Sequence, residues 1–255
     1  SLIKDLDAIL TQAEKDKAGD PLFLRDLRNL VRSYTNPFPN LVLHEDFSDG
    51  DYTQNPVWTV GAGRYFMEKG WGIRNALDTT KTTNTGTGDP GVDLLVGILG
   101  KALGGNTATT PSSTKAIQPT SIFTDAVIAN AFSIEMSASS WVKEGRLAIG
   151  PYQGTTRNAG YRLIYTIGGS IDLIAKFASG ARTIDSNPGP FMLEDKKVHT
   201  FTWTRDKNGQ MKVGLDGTTL FDVRDASFRD PFEGFGMATN GGDFIVKSVD
   251  IYTTP

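Results

Sequence analysis

The chain has 255 residues, 28 of them glycine, and this length supports one large domain with a well-buried core. Its 26 basic and 29 acidic residues give a net charge of −3 without a basic stripe, so nucleic acid is not an expected partner. The absence of cysteine excludes disulfides and thiolate metal sites, and the longest apolar run, 92–103, is too short and interrupted to span a bilayer.

The first forty residues predict a helical hairpin. The first helix has an apolar face at helical spacing and ends at Gly19, and the second starts at Asp20-Pro21, with aspartate as N-cap and proline at the first helical position. The two apolar stripes are Leu2, Ile3, Leu6, Ile9 and Leu10, and then Leu24, Leu27, Leu30, Val31 and Tyr34. A hairpin of residues 1–40 is too small to fold alone. We expect it either to cap the following domain or, through residues 1–36, to bind a protein partner.

From residue 41 to residue 255 the pattern is that of short β-strands separated by turn signals. The clearest part is 197–224, which predicts three antiparallel strands joined at Asn208-Gly209 and Asp216-Gly217, dipeptides that accept positive φ. About a dozen such strands with regular turn signals predict an all-β fold, a two-sheet antiparallel sandwich. The predicted strands are 57–60, 64–67, 71–74, 121–129, 131–139, 145–150, 161–167, 170–177, 181–184, 198–205, 211–215, 218–223, 234–239 and 243–252.

One segment, Thr79 to Pro119, interrupts this rhythm. It is rich in Thr, Gly, Ser and Asn, and one face of a short helix within it can be formed by Val92, Leu95, Val96 and Leu99. An insertion of this length is either functional, as a lid, docking or assembly element, or a plain surface excursion. We therefore predict an insertion at 79–119 within a β-sandwich of residues 41–255.

Four segments resemble the concanavalin A-like lectin/glucanase superfamily. They are HEDFSDGDYTQNPVWTVGAGRYFMEKGWGIRN (44–75), AFSIEMSASSW (131–141), VHTFTWTRDKNGQMKVGLDGTTLFDV (198–223) and FIVKSVDIYTTP (244–255). The resemblance implies a jelly-roll sandwich that handles carbohydrate. It is strongest to secreted bacterial domains described as 3-keto-disaccharide hydrolases and more remote to laminarinase-type glycoside hydrolases. Because the chain begins at Ser1, a signal peptide would lie outside it, and we expect a periplasmic or secreted location.

The strand 132–139 carries the main departure from the glycoside hydrolases that the chain resembles. Those enzymes have Glu-x-Asp-x-x-Glu on one strand, whereas here Glu135 is followed by Ser137 and Ser140 at the matching positions. A retaining pair of carboxylates is therefore not supported on this strand. By alternation, Ser133, Glu135 and Ser137 share the face opposite the core and can either floor a glycan groove or form an ordinary solvated face.

Further candidate ligand-binding residues come from neighbouring predicted strands. Trp141 can stack on a pyranose ring, and Arg146, Tyr161 and Arg162 can offer planar or hydroxyl hydrogen-bonding groups. Of the other three tryptophans, Trp58 and Trp203 are expected in the core. Trp71 can lie either in the core or at the surface as a platform for a ligand. If the protein is an enzyme, Glu135 would be its catalytic acid or base, with a partner among Asp172, Glu194, Asp195 and Asp243.

Calcium is the metal that the sequence favours. Asp46 and Asp49 cluster at a turn, and the resemblance implies that Asp250, on the closing strand, completes a structural calcium site. The alternative is that the two turn aspartates only cap backbone N–H groups. The two histidines, His44 and His199, lack zinc-ligand spacing, so zinc is not expected.

Three functions remain open from the sequence. The favoured one is a non-catalytic, lectin-like domain that binds a glycan or oligosaccharide. The second is a glycoside hydrolase that uses Glu135, and the third is an assembly module that uses the helical hairpin.

Overall fold

The computed structural model describes residues 2–35, 37–76 and 119–254. The chain starts with helix α1 (Leu2–Lys15) and helix α2 (Pro21–Thr35). The side chain of Asp20 accepts a hydrogen bond from the amide of Phe23 at 2.9 Å, the N-cap contact expected from the sequence. The two helices bury Leu10, Leu24 and Val31 between them.

Fifteen β-strands follow in the described part of the chain. They are β1 (Asn40–Glu45), β2 (Thr59–Ala62), β3 (Tyr65–Glu68), β4 (Gly72–Asn75), β5 (Pro119–Ile128), β6 (Phe132–Ser140), β7 (Arg146–Gln153), β8 (Ala159–Thr166), β9 (Ile171–Phe177), β10 (Gly180–Asn187), β11 (His199–Arg205), β12 (Gln210–Leu215), β13 (Thr218–Arg224), β14 (Phe232–Asn240) and β15 (Phe244–Thr253).

These strands form two antiparallel sheets. Sheet A has eight strands in the order β13-β12-β11-β6-β15-β4-β3, with β1 also paired to β15. Sheet B has seven strands in the order β10-β9-β8-β7-β14-β5-β2. The predicted all-β, two-sheet antiparallel jelly-roll sandwich with an N-terminal helical hairpin is confirmed.

The core lies between the sheets, and strand alternation fills it. On β6, Phe132, Ile134, Met136 and Ala138 are buried, while Ser133, Glu135 and Ser137 point to the opposite face of sheet A. The expected core tryptophans are confirmed, since Trp58 and Trp203 are fully buried. Trp203 packs edge-on against Phe132 and against Tyr161 of sheet B, which ties the two sheets together.

The two predicted turns of the 197–224 region are confirmed. Asp216 and Gly217 have φ of 50° and 79°, which matches the twist of the β12–β13 hairpin. At the other turn Gly209 has φ of 82°, and a Cβ there would lie 2.3 Å from the Asp225 carbonyl oxygen. A side chain at position 209 would therefore be strained and would also clash.

Two predictions are not tested by the structure. The insertion predicted at 79–119 lies outside the described residues, except that Pro119 begins β5. The division into residues 1–40 and 41–255 stays a prediction. Within the described part of the chain, neither helix has the length and apolar character needed to cross a membrane.

Candidate functional site

The face of sheet A that points away from the core is polar along its centre; we call it the outer face of sheet A. Across β6 and β15, Glu135 lies opposite Asp250 and Ser137 lies opposite Ser248. On the other side of β6, Thr202 lies opposite Glu135. Hydroxyls and carboxylates on neighbouring strands thus form a row that can exchange hydrogen bonds with a polar ligand.

A cavity of about 650 Å³ opens at one end of this face; we call it the Trp71 cavity. The loop after β1, the β3–β4 turn and β15 contribute its walls. Lining residues are Asp46, Phe47, Ser48, Gly50, Met67, Glu68, Lys69, Gly70, Trp71, Gly72, Lys247 and Ser248. It combines one partly exposed indole ring with carboxylates, ammonium groups and two serine hydroxyls, the chemical mixture that small-molecule sites use.

The β3–β4 turn can hold Trp71 in this position because of the glycine that follows it. Gly72 has φ of 114°, and a Cβ there would lie 2.1 Å from the carbonyl oxygen of Val246 on β15. Only glycine permits this backbone conformation and this close approach. The turn therefore packs directly on β15, and Trp71 projects from a fixed backbone.

The ring of Trp71 is also held from the side. It packs edge-on against Trp141, with ring centroids 5.4 Å apart, and the guanidinium of Arg74 lies 4.5 Å from the Trp141 ring. Arg74 is anchored by two hydrogen bonds to Asp243, at 2.7 and 2.6 Å, and one to Glu68 at 2.8 Å. The bonds to Asp243, with a smaller contribution from the bond to Glu68, raise the pKa of Arg74 although its partial burial opposes this. This network fixes the aromatic wall of the cavity.

A second cavity, of about 480 Å³, lies between the helices and the outer face of sheet A; we call it the hairpin cavity. Its lining is mostly charged and comes from both sides: Glu14, Lys17, Gly19, Pro21, Leu24, Arg25 and Arg28 from the hairpin, and His44, Glu135 and Asp250 from the sheet. His44 Nδ1 lies 2.6 Å from Asp250 Oδ1, and this hydrogen bond outweighs burial and raises the pKa of His44.

The predicted ligand-binding residues divide between different parts of the molecule. Ser133, Glu135 and Ser137 lie together on the outer face of sheet A. Trp141 follows the last residue of β6 and touches Trp71. These four residues therefore belong to the same side of the sandwich as the two cavities.

Arg146, Tyr161 and Arg162 are not brought to that side, because β7 and β8 belong to sheet B. Tyr161 lies in the core and donates a hydrogen bond to Asp225 at 2.7 Å. Arg162 is 1% exposed, and its two terminal guanidinium nitrogens donate to the carbonyls of Pro151, Tyr161 and Arg157. The predicted set thus does not form one site.

The four carboxylates considered as partners of Glu135 have other contacts. Asp172 accepts from Ser170, Glu194 accepts from Tyr165, Asp195 contacts His199, and Asp243 contacts Arg74. The carboxylate placed opposite Glu135 in the sheet is Asp250 instead. Opposite residues of antiparallel strands have Cα atoms roughly 4.5–5.5 Å apart, so these two side chains share one part of the hairpin cavity.

Of the predicted calcium ligands, Asp46 and Asp250 both lie beside His44, 3.9 Å and 2.6 Å from its ring nitrogens. Asp46 accepts from the Ser48 amide at 3.0 Å and Asp49 from the Asp51 amide at 2.9 Å, as the turn-capping alternative expects. Asp250 contacts His44, a nitrogen donor that does not suit calcium. In the described ranges no group of three or more His, Cys, Asp or Glu side chains can hold a metal ion. A structural calcium at Asp46, Asp49 and Asp250 stays a prediction.

Arg74 and Glu68 were not predicted as site residues from the sequence, and Trp71 was predicted only as core or ligand platform. A signal was present, since Lys69-Gly70-Trp71-Gly72 places a tryptophan between two glycines. Such a turn exposes the ring on a short hairpin.

Comparisons of sequence find no relative: no protein-family model and no curated protein matches the chain. Solved structures do match. A Bacillus subtilis protein with a galectin-like fold aligns with a TM-score of 0.57 and 8% identity over 85% of this chain and 97% of its own. The potassium-bound carbohydrate recognition domain of Emp46p gives 0.55 and 14% over 83% and 96%. The carbohydrate-binding module CBM66 from Bacillus subtilis gives 0.53 and 13% over 77% and 95%.

The chain has a galectin-like, concanavalin A-like β-sandwich fold. At these identities the likeness concerns the fold alone. The resemblance inferred from the sequence is confirmed at this level, while the nearer relation to 3-keto-disaccharide hydrolases is not established by any of these matches.

Proposed function

We propose that this protein is a lectin-like domain that binds a glycan in the Trp71 cavity without cleaving it. The observation that carries the proposal is the presence, in one open cavity, of a fixed tryptophan beside Asp46, Glu68, Lys69 and Lys247. An indole packs on the apolar C–H face of a pyranose, while carboxylates accept and ammonium groups donate hydrogen bonds to its hydroxyls.

Size and rigidity support the same reading. A cavity of about 650 Å³ lies within the range of small-molecule sites, and it is large enough for one or two sugar rings. The Trp71–Trp141–Arg74 contacts hold the aromatic wall before a ligand arrives, which reduces the entropy cost of binding. Two of the aligned structures, CBM66 and the Emp46p domain, are named as carbohydrate-binding.

A glycan-array screen followed by calorimetric titration of the best glycan tests the proposal. We expect Trp71→Ala to weaken binding about tenfold or more and to leave the unfolding midpoint nearly unchanged, because the ring is partly exposed. Phe23→Ala, which removes a 60% exposed aromatic from α2, is the matched control and should bind like the wild type. Equal affinities of the Trp71→Ala variant and the wild type would contradict the proposal.

Glycoside hydrolysis is the second candidate, favoured by the opposition of Glu135 and Asp250 within the hairpin cavity. Paired carboxylates are the common requirement of that reaction. Incubation of each array-positive glycan with the wild type and with Glu135→Gln separates the two functions. Turnover lost in Glu135→Gln would establish the hydrolase, and binding without turnover in both proteins would remove it.

The proposal also includes a cellular location and a nearer family relation. The periplasmic or secreted location expected from the sequence fits a glycan ligand, since such ligands are abundant outside the cell. A relation to 3-keto-disaccharide hydrolases also stays within the proposal. Binding measurements with oxidised disaccharides as ligands test this relation.

A further inference from the structure

The carboxylates that line the Trp71 cavity are already engaged within the protein. Glu68 accepts a hydrogen bond from Arg74 at 2.8 Å, and Asp46 accepts one from the amide of Ser48 at 3.0 Å. A carboxylate that already has a donor gains less from a hydroxyl of a ligand than a free one would gain. The acidic side of the cavity is therefore occupied largely by contacts inside the protein.

The two lysines of the cavity have no such partner. Lys69 and Lys247 are exposed, and within the described ranges neither ammonium group forms a hydrogen bond or an ion pair. Elsewhere on the surface, Lys197 and Lys212 each lie 3.4 Å from an aspartate oxygen. Because its carboxylates have partners and its ammonium groups do not, the charge that the cavity can offer to a ligand is positive.

A β-bulge directs Lys247 to the cavity. On β15, Val246 and Ser248 pair with consecutive residues of β6, so Lys247 is the extra residue of a bulge. In a regular strand, Lys247 and Ser248 would point to opposite faces of the sheet, whereas here both line the cavity. Val246 and Val249 on either side of them are buried in the core. The bulge thus places an ammonium group and a hydroxyl side by side at the opening.

The β3–β4 turn brings Lys69 to the same opening. Lys69 lies two residues before Trp71, and the backbone of Gly72 packs against the bulge, since a Cβ at position 72 would lie 2.8 Å from the Lys247 Cα. The turn that carries Lys69 and the bulge that carries Lys247 are therefore in direct contact. The indole of Trp71 and both ammonium groups surround one cavity.

The other acidic residues of the loop after β1 lie outside this arrangement. Asp49 and Asp51 do not line the cavity, and each accepts a hydrogen bond from its own loop, from the amides of Asp51 at 2.9 Å and Thr53 at 2.7 Å. Their charges act on a ligand only through water, where salt screens them. The contacts that a ligand makes inside the cavity are decided by the two lysines.

We infer that the Trp71 cavity selects an acidic glycan, in which a sugar carries a carboxylate or a sulfate ester. The inference rests on the proposed glycan binding and names the ligand class of that same site. The indole packs on the C–H face of the sugar ring, while Lys69 and Lys247 donate charge-assisted hydrogen bonds to the anionic group. A neutral sugar would receive only the weaker hydrogen bonds that hydroxyls form.

A glycan array that pairs each uronate-bearing or sulfated glycan with its carboxyl-reduced or desulfated counterpart tests the inference. We expect the signals to come from acidic glycans and each neutral counterpart to bind about tenfold more weakly. Whether the uronates or the sulfated glycans respond identifies the acidic group. Raising the salt from about 0.1 M to about 1 M should remove most of the preference, because the screening length falls from about 10 Å to about 3 Å.

Charge-removing variants link the preference to the two lysines. We expect the double variant Lys69→Gln, Lys247→Gln to bind the best acidic glycan about tenfold more weakly than the wild type, and its neutral counterpart within about twofold, in calorimetric titrations. Lys207→Gln removes an exposed charge from the β11–β12 turn, outside the cavity, and is the matched control that should bind like the wild type. All three substitutions are at exposed positions, so the unfolding midpoints should stay unchanged.

The outcomes separate this inference from the proposed function. Acidic hits that weaken in both Trp71→Ala and the double lysine variant would establish the two together. Neutral hits that depend on Trp71, or an acidic glycan bound equally by the double variant and the wild type, would overturn the acidic selectivity and leave glycan binding in place. An array without any hit would overturn both.

Discussion

Two arginines on opposite sheets show how differently the outward faces of this sandwich are used. Arg74 on sheet A is 20% exposed in its side chain, is bound by two carboxylates and supports the tryptophans of an open cavity. Arg162 on sheet B is 1% exposed, and its guanidinium donates hydrogen bonds to three backbone carbonyls. The residue type is the same, yet one arginine positions a candidate binding wall and the other stabilises the backbone.

The backbone around Arg162 explains its burial. The β7–β8 pairing is interrupted between Ile149–Leu163 and Tyr152–Gly160, so carbonyl groups there need donors from elsewhere. Arg162 donates to Pro151 at 2.7 Å and to Tyr161 at 2.6 Å. A Cβ at position 160 would lie 2.2 Å from the Pro151 carbonyl oxygen and 3.1 Å from the guanidinium, so glycine is required there. Burial lowers the pKa of Arg162 to about 10, which leaves it charged at neutral pH.

The largest effect should come from Arg162→Met. The change keeps an apolar stem but leaves the carbonyls of Pro151, Tyr161 and Arg157 without these donors, and we expect it to lower the free energy of unfolding by about 3 kcal/mol or more. Urea unfolding measures this quantity. A loss below about 1 kcal/mol would show that the arginine is not the structural element inferred here. Glycan affinity of the folded variant should stay within about twofold of the wild type, as no direct contact is removed.

A smaller but more informative effect is expected from Arg74→Met. Asp243, which is 6% exposed, would lose its ionic partner, and we expect a cost of about 2 kcal/mol together with a several-fold loss of glycan affinity. Unfolding and titration on the same sample measure both effects. Lys212→Met, which breaks an exposed ion pair with Asp222, is the control and should cost less than about 0.5 kcal/mol. If Arg74→Met binds the glycan with the affinity of the wild type, Arg74 does not support the binding wall of the Trp71 cavity.

The smallest effect concerns pH and the hairpin cavity. The hydrogen bond to Asp250 raises the pKa of His44 above its ordinary 6.5, with Asp46 adding to this and Arg25 opposing it. A raised folded-state pKa means that the stabilisation is fully present below pH 6.5 and is lost as pH rises through the folded value. His44→Gln should therefore cost up to about 1 kcal/mol near pH 5.5 and less near pH 9. A deficit that is larger at high pH would contradict the assigned partner.

Local patterns in the sequence were sufficient to predict the helices and most of the strands of this fold. Asp20 marks the start of α2, Asp216-Gly217 marks a hairpin, and the alternation around Glu135 correctly separates core from outer face. Each of these features is decided by neighbours along the chain. The two-sheet sandwich was predictable for the same reason, because turn signals and strand lengths are also local.

Which site residues lie close together depends on pairing between strands that are far apart in the sequence. Local patterns could therefore not predict it. Arg146, Tyr161 and Arg162 follow Glu135 closely along the chain, and adjacency in sequence suggested adjacency in space. In the structure the chain crosses from sheet A to sheet B between β6 and β7, and β6 pairs with β11 and β15 instead. The same long-range pairing brings Asp250 opposite Glu135, a contact between residues far apart in sequence.

The central claim is that a glycan is bound against Trp71, and the indole N–H signals of the chain's four tryptophans test it directly. In a two-dimensional ¹⁵N–¹H spectrum titrated with the best glycan from the array, we predict that the Trp71 signal shifts most and that its neighbour Trp141 follows. Trp58 and Trp203 should keep their positions, since both are buried in the core. Saturable binding that leaves the Trp71 signal in place would contradict the account.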